Sequence, residues 1–279
     1  KYNVISISFA EIDSNCSNCV EYIDRISNLL REDLKEKFPK ANIDEKYTIW
    51  EVFSQLDEKF IFIFDEWDYI FNANIFEEDQ DKFLEFLMKL LKDKPYVALA
   101  YMTGILPIKK YSSGSSLNMF DEFTILNDMI YGEYFGFTEE EVKMLCDKQS
   151  DEISSWYNGY LSEEGTRIYN PRSVIKALKN KKCKSYWTNT GAMDEVEEYL
   201  KYNILEIRDE VIEMVSGEEI DIFIDEEFRA GQGTPKTKEE IYSAMIVLGF
   251  LSYHDGYLKI PNKELMKEFE KALSDESFG

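Results

Sequence analysis

The chain has 279 residues, 44% of them hydrophobic, enough to bury a large core and to fill two units. Acidic residues number 55 against 32 basic ones, and the resulting net charge of −23 repels phosphate backbones and argues against a nucleic-acid binder. One histidine and four cysteines make no convincing structural zinc site, and a histidine-dependent triad would need His254 itself. Apolar stretches fall short of the ~20 residues that span a bilayer, and no signal peptide is visible, so a reducing cytoplasm is the expected setting.

The chain opens at Lys1 and runs directly into Tyr2–Phe9, an alternating strand, so a longer natural protein is expected. Apolar residues at Val20, Ile23, Ile26, Leu29, Leu30 and Leu34 predict an amphipathic helix within Ser14–Phe38, closed by Pro39. Cys16-Ser17-Asn18-Cys19 falls near its start, where thiol pKa values drop, although no thioredoxin-like context surrounds it. Asp44 is placed to cap a shorter helix carrying Tyr47, Ile49, Trp50, Phe53 and Leu56.

Phe60–Phe64 is an unbroken apolar run, read as a strand buried on both faces. A helix bearing Phe83, Leu84, Phe86, Leu87, Leu90 and Leu91 follows, broken by Pro95, and Tyr96–Met102 forms the next strand. Phe123–Leu126 is a further candidate strand. Strands alternating with helices predict an α/β unit with a parallel sheet and right-handed crossovers over residues 1–135.

From Thr138 the pattern turns mostly helical, opened by the capping box Thr138-x-x-Glu141. Ser154–Tyr160 reads as aromatic and turn-forming, and acidic helices occupy 193–227. From Thr237 the order is helix, hairpin at Asp255-Gly256 with His254 exposed beside it, then helix from Asn262. This divides the remainder into 136–232, a helical region, and 233–279, a helical unit with a two-stranded wing. Lysines and acids nearly balance in that last unit, without a basic stripe.

Asp65 and Glu66 end the Phe60–Phe64 strand, at the position where open α/β sheets bind ligands. In nucleotide hydrolases the first acid of such a pair holds Mg²⁺, usually through water, and the second orients or deprotonates the attacking water. The competing reading is a buried strand followed by acids that favour a helix N-terminus. No Gly-x-x-x-x-Gly-Lys-Ser/Thr loop exists in the 279 residues to wrap a triphosphate. Gly231-Gln232-Gly233-Thr234-Pro235-Lys236-Thr237 imitates one, but Pro235 stands in the wrong place and Thr237-x-x-Glu240 fits a helix cap.

Several ordered segments resemble the predicted AAA-ATPase-like proteins, bacterial P-loop ATPases related to the signal-transducing STAND class. They are Phe64–Asp68, Tyr101–Ile108, Ser115–Phe120, Phe135–Val142, Trp156–Tyr160, Tyr169–Ser173, Tyr186–Gly191 and Ile260–Glu264. The resemblance spans nearly the whole chain. It implies a parallel P-loop-type sheet flanked by helices, a helical lid and a small winged-helix-like C-terminal unit, often followed by a nuclease domain. The family's phosphate loop would lie upstream of Lys1, and no nuclease-like carboxylate–lysine cluster follows Asn262. Arg172 stands where the family usually carries tryptophan.

Carried over residue by residue, the resemblance implies Asp65 as the Mg²⁺-water ligand and Glu66 as the catalytic base. It also implies Thr103 as a polar sensor near the γ-phosphate, with Arg172 a lid arginine facing phosphate. Thr103 could equally satisfy local backbone, and Arg172 could be a solvated surface residue. Asp68 reads either as a carboxylate supporting the pair or, by preference, as a first-turn helix acid. The Trp156–Tyr160 aromatics are expected to pack rather than contact a base. The expected function is an AAA-ATPase-like switch that takes Mg and ATP in the complete protein, with neither bound by this chain alone. The alternative is a non-enzymatic degenerate ATPase fold acting as a scaffold for a protein partner.

Overall fold

The computed structural model describes residues 2–105, 107–108, 117–127, 129–146, 150–162, 164–186, 206–224 and 237–274. Ser115, Ser116, the Trp187–Gly191 segment and the glycine-rich decoy at 231–236 lie outside these residues. The chain divides into two compact units, Lys1–Asp121 and Glu122–Gly279.

The first unit runs β1 (Asn3–Ser8), a 3-10 turn (Phe9–Glu11), α1 (Cys19–Lys37), α2 (Ile49–Gln55), β2 (Phe60–Asp65), α3 (Tyr69–Asn72), α4 (Gln80–Leu91) and β3 (Val97–Met102). Its sheet has the order β1-β2-β3, and both pairings are parallel. Helices α1 and α4 form where apolar residues recur at helical spacing. Asn18 caps α1 by accepting the Glu21 N–H at 3.1 Å, so the helix begins later than the Ser14 start its periodicity suggests. Helix α2 opens on the capping box Thr48–Glu51, with the Glu51 carboxylate accepting the Thr48 N–H at 2.7 Å. Asp44 is not the cap; it accepts the Lys46 N–H in the preceding turn.

Period-two alternation sends Phe60, Phe62 and Phe64 to one face of β2, where they are fully buried. Phe53 from α2 meets Phe60 and Phe62 edge-on, with ring centroids 4.9 and 5.3 Å apart, and Phe9 meets Phe64 at 5.3 Å. Leu30 and Leu34 of α1 and Phe83, Leu87 and Leu90 of α4 complete this core.

The opposite face differs from the expectation of burial on both sides. Register aligns Val4, Ile61 and Leu99 in one row and Ser6, Ile63 and Tyr101 in the next. Val4, Leu99 and Tyr101 are 57, 55 and 58% exposed, and Ile63 is 38% exposed. The strand is apolar on both faces, but the packed helices bury only the phenylalanine side. Beyond β3 the sheet gains no further strand among the described residues. Residues 123–126 are no strand of this sheet: Thr124 and Asn127 close a turn through reciprocal backbone bonds of 3.2 and 3.0 Å. The Thr124 hydroxyl also accepts the Leu126 N–H, and Ile125 and Leu126 serve the core of the second unit instead.

The second unit opens with a 3-10 segment (Met129–Tyr134) and continues through β4 (Phe137–Thr138), α5 (Glu139–Leu145), α6 (Ser150–Tyr157), β5 (Tyr160–Leu161), β6 (Arg167–Tyr169) and α7 (Pro171–Asn180). It then runs α8 (Ile207–Val215), β7 (Ile220–Asp221), α9 (Lys238–Val247), β8 (Ser252–His254), β9 (Tyr257–Lys259) and α10 (Lys263–Ser274). Two small antiparallel sheets form, β4-β6-β5 and β7-β9-β8. The expected caps at Thr138 and Thr237 are present. Asp255 and Gly256 take φ of 51° and 88°, the left-handed pair that closes a two-residue hairpin, with partly exposed His254 beside them. A third strand, β7, joins that hairpin through β9. Ser154–Tyr157 is helical rather than a turn, and the turn is confined to Asn158-Gly159. Among the described residues, no helix is long and apolar enough to cross a membrane.

Phe62→Ala should cost about 3–5 kcal/mol, as a buried aromatic truncation does, whereas Ile63→Ala on the bare face should cost about 1 kcal/mol or less. Urea unfolding of the two variants measures the contrast.

Candidate functional site

The three parallel strands end together. Ser8 is the register partner of Asp65, and Thr103 follows the last residue of β3, so these polar groups continue the rows of the bare face. The Thr103 hydroxyl donates to Asp65 Oδ1, and the Thr103 N–H donates to the Phe64 carbonyl at 2.8 Å. Ser8 Oγ donates to Glu66 Oε2 at 3.3 Å. The structure thus brings Asp65, Glu66 and Thr103 to one strand-end rim, with both acids exposed to water.

Glu66 adopts φ 50°, a left-handed conformation that strains a residue other than glycine and that gathers at functional sites. Its N–H is held by Asp65 Oδ1 at 3.1 Å. The chain reverses there because Trp67 turns inward, buried against Phe71, while its N–H donates to the Thr103 carbonyl at 3.0 Å. Asp68 corrects an expectation. It occupies the N-cap position of α3 but caps nothing with its side chain; it is 1% exposed, and Oδ2 accepts the Ile105 N–H at 2.9 Å.

A single aspartate with a hydroxyl beside it fits the protein side of a Mg²⁺-nucleotide site, since Mg²⁺ keeps several waters and takes one or two carboxylates plus phosphate. Among the described residues no group of three or more His, Cys, Asp or Glu is placed to hold a metal without such a ligand. Arg172 lies in the second unit, exposed in the first turn of α7.

Asn170, Ser173, Tyr186 and Glu264 of the second unit form a polar knot that sequence reasoning missed. Asn170 caps α7 by accepting the Ser173 N–H at 3.1 Å. Ser173 in turn donates to Glu264 Oε1 at 3.0 Å, and the Tyr186 N–H donates to the same oxygen at 2.6 Å. Glu264 is 1% exposed, so these bonds offset the cost of burying a carboxylate. Gly159, at φ 116°, lies so close to Pro261 that an added Cβ would stand 1.9 Å from its carbonyl oxygen. The glycine in an aromatic turn was the available signal; the partners lie too far along the chain to be read. These contacts join residues 159–186 to residues 261–264 within the second unit.

Cys19 does not carry the lowered thiol pKa that a place at a helix start suggests. Cys19 begins α1 but is fully buried, and burial, followed by the charge of Asp79, pushes its thiol up to about 11.

No family model matches this chain, and no curated protein matches it. Among solved structures it is similar to a Walker-type ATPase of Pyrococcus abyssi, at 13% identity over 96% of this chain and 84% of that chain, with a TM-score of 0.45.

At pH 8 iodoacetamide should label Cys16 well before Cys19, because the raised pKa leaves Cys19 almost wholly protonated. Mass spectrometry of the labelled native chain reads the order, and equal labelling in denaturant provides the reference.

Proposed function

We propose that this chain carries the acid-bearing portion of an ATPase-like nucleotide switch, completed by a strand, phosphate loop and helix that dock on the bare face and open edge of the first sheet. The observation that supports this reading is the exposed apolar surface of Val4, Ile63, Leu99 and Tyr101, with partly exposed Ile61 among them, which leads directly to Ser8, Asp65 and Thr103. Parallel sheets are covered on both faces, and an open strand edge invites pairing. A strand added beside β3 and a helix laid over that face would place a glycine-rich loop at the acid rim.

Bound Mg-ATP would supply the phosphoryl group and the cation that neutralises its charge. In this reading Asp65 holds a metal-bound water, with the Thr103 hydroxyl fixing its orientation. Glu66 orients the attacking water and receives its proton. Arg172 is the lid arginine. The second unit serves as a helical lid over 136–232 and a winged-helix-like module over 233–279, moved by nucleotide state.

A nucleic-acid role is disfavoured beyond the charge, because α9 is buried at Ile241 through Ile246 and offers little surface to a groove. A protein partner in the cytoplasm fits better. A non-enzymatic scaffold is the competing outcome.

The gene sequence preceding Lys1 should encode a glycine-rich lysine loop between a strand and a helix. The protein carrying it should bind Mg-ATP with micromolar affinity by calorimetry. Glu66→Gln should lower turnover at least ~100-fold while leaving binding intact, the pattern of a lost general base. Unaltered turnover in that variant would remove Glu66 as the base, and no Mg-ATP binding by the longer protein would favour the scaffold.

A further inference from the structure

Of the three acids in Asp65–Asp68, two face water and one does not. Asp68 is buried, and a carboxylate removed from solvent cannot relay protons to a water or hold a hydrated cation at the rim. Its position against the segment after β3 shows what it does instead. Oδ2 accepts the Ile105 N–H at 2.9 Å, a bond partly shielded from water. Between Thr103 and Ile105, Gly104 packs so tightly that an added Cβ would stand 2.6 Å from Trp67 Nε1 and 2.9 Å from Asp68 Cγ. Trp67 N–H holds the Thr103 carbonyl on the near side of the same turn. The segment bearing the Thr103 hydroxyl is therefore pinned on both sides, by the Trp67 backbone before Gly104 and by the Asp68 carboxylate after it.

We propose that Asp68 is a positioning residue: it clamps the Thr103–Ile105 turn onto the exit of β2 so that the Thr103 hydroxyl stays on Asp65. The geometric part stands by itself, and its consequence for turnover rests on the ATPase-like reading above. What the clamp needs is an oxygen acceptor of carboxylate shape, not a negative charge available for chemistry. An asparagine side chain would keep such an oxygen toward Ile105, and an alanine would not, so Asp68→Asn and Asp68→Ala separate the two needs.

Two measurements test this. Amide hydrogen exchange on residues 1–279 reads the clamp directly. Asp68→Ala should speed exchange at Ile105 by at least ~10-fold, with Asp68→Asn within ~3-fold of the wild type. Gly104→Ala, which drives the turn off Asp68 without altering the carboxylate, is the second variant should Asp68→Ala not fold, and it should reproduce the faster exchange. Unchanged Ile105 exchange in the folded variants overturns the clamp, whether or not the protein handles nucleotide.

Turnover of the longer protein reads the consequence. Asp68→Ala should lower kcat ~10–100-fold, with KM for ATP changed by less than ~3-fold, and combining it with Thr103→Ala should lower kcat little beyond the worse single variant. Losses that multiply, or Asp68→Asn as inactive as Asp68→Ala, overturn the positioning role. A wild-type protein without turnover refutes the ATPase-like reading and leaves the exchange result to decide the clamp.

Discussion

Alternation along β2 sends Phe60, Phe62 and Phe64 to one side of the sheet and Ile61, Ile63 and Asp65 to the other, and the rest of the first unit follows from that phase. The phenylalanine side gathers Phe53, Phe9, Phe83 and the inner faces of α1 and α4 into a single aromatic-rich core. The isoleucine side ends on Asp65, so the bare surface and the polar rim are one continuous feature. A shift of one residue would bury Asp65 and expose three phenylalanines, which the hydrophobic effect forbids.

The rim is built by backbone as much as by side chains. Trp67 turns into the core and Glu66 takes a left-handed backbone to permit it, which leaves Asp65 and Glu66 on the outside of a tight reversal. Thr103 N–H and C=O are both engaged with the β2 exit, so the hydroxyl of Thr103 has little freedom to leave Asp65. Asp68 extends that grip past Gly104. The acids in this short run therefore divide by burial: two meet water, and one fastens the neighbouring strand end.

Much of the first unit was legible in the sequence, because β2 and α4 carry strong, long apolar patterns and the acid pair stands at a strand end. The coverage of the sheet was not. An apolar run that should be buried on both sides was read correctly as a strand, yet packing decides which face is covered. Phe123–Leu126 looked like a strand by composition, whereas Thr124 and Asn127 bond each other across a turn. Strands as short as β4, β5 and β6 leave no period to detect. The roles of Asp68 and Glu264, and the raised thiol of Cys19, depend on neighbours distant in sequence. Each of the two acids sits early in a helix and so resembles an ordinary first-turn residue.

On the proposed reading, the Val4–Leu99–Tyr101 surface is an interface covered by the added strand and helix. Hydroxyl-radical footprinting of Tyr101 and Leu99, compared between residues 1–279 and a protein extended by the proposed strand, phosphate loop and helix, measures this directly. Strong labelling in the shorter chain and clear protection in the longer one are expected, with Phe62 protected in both. Equal labelling of Tyr101 and Leu99 in the two proteins would contradict that reading.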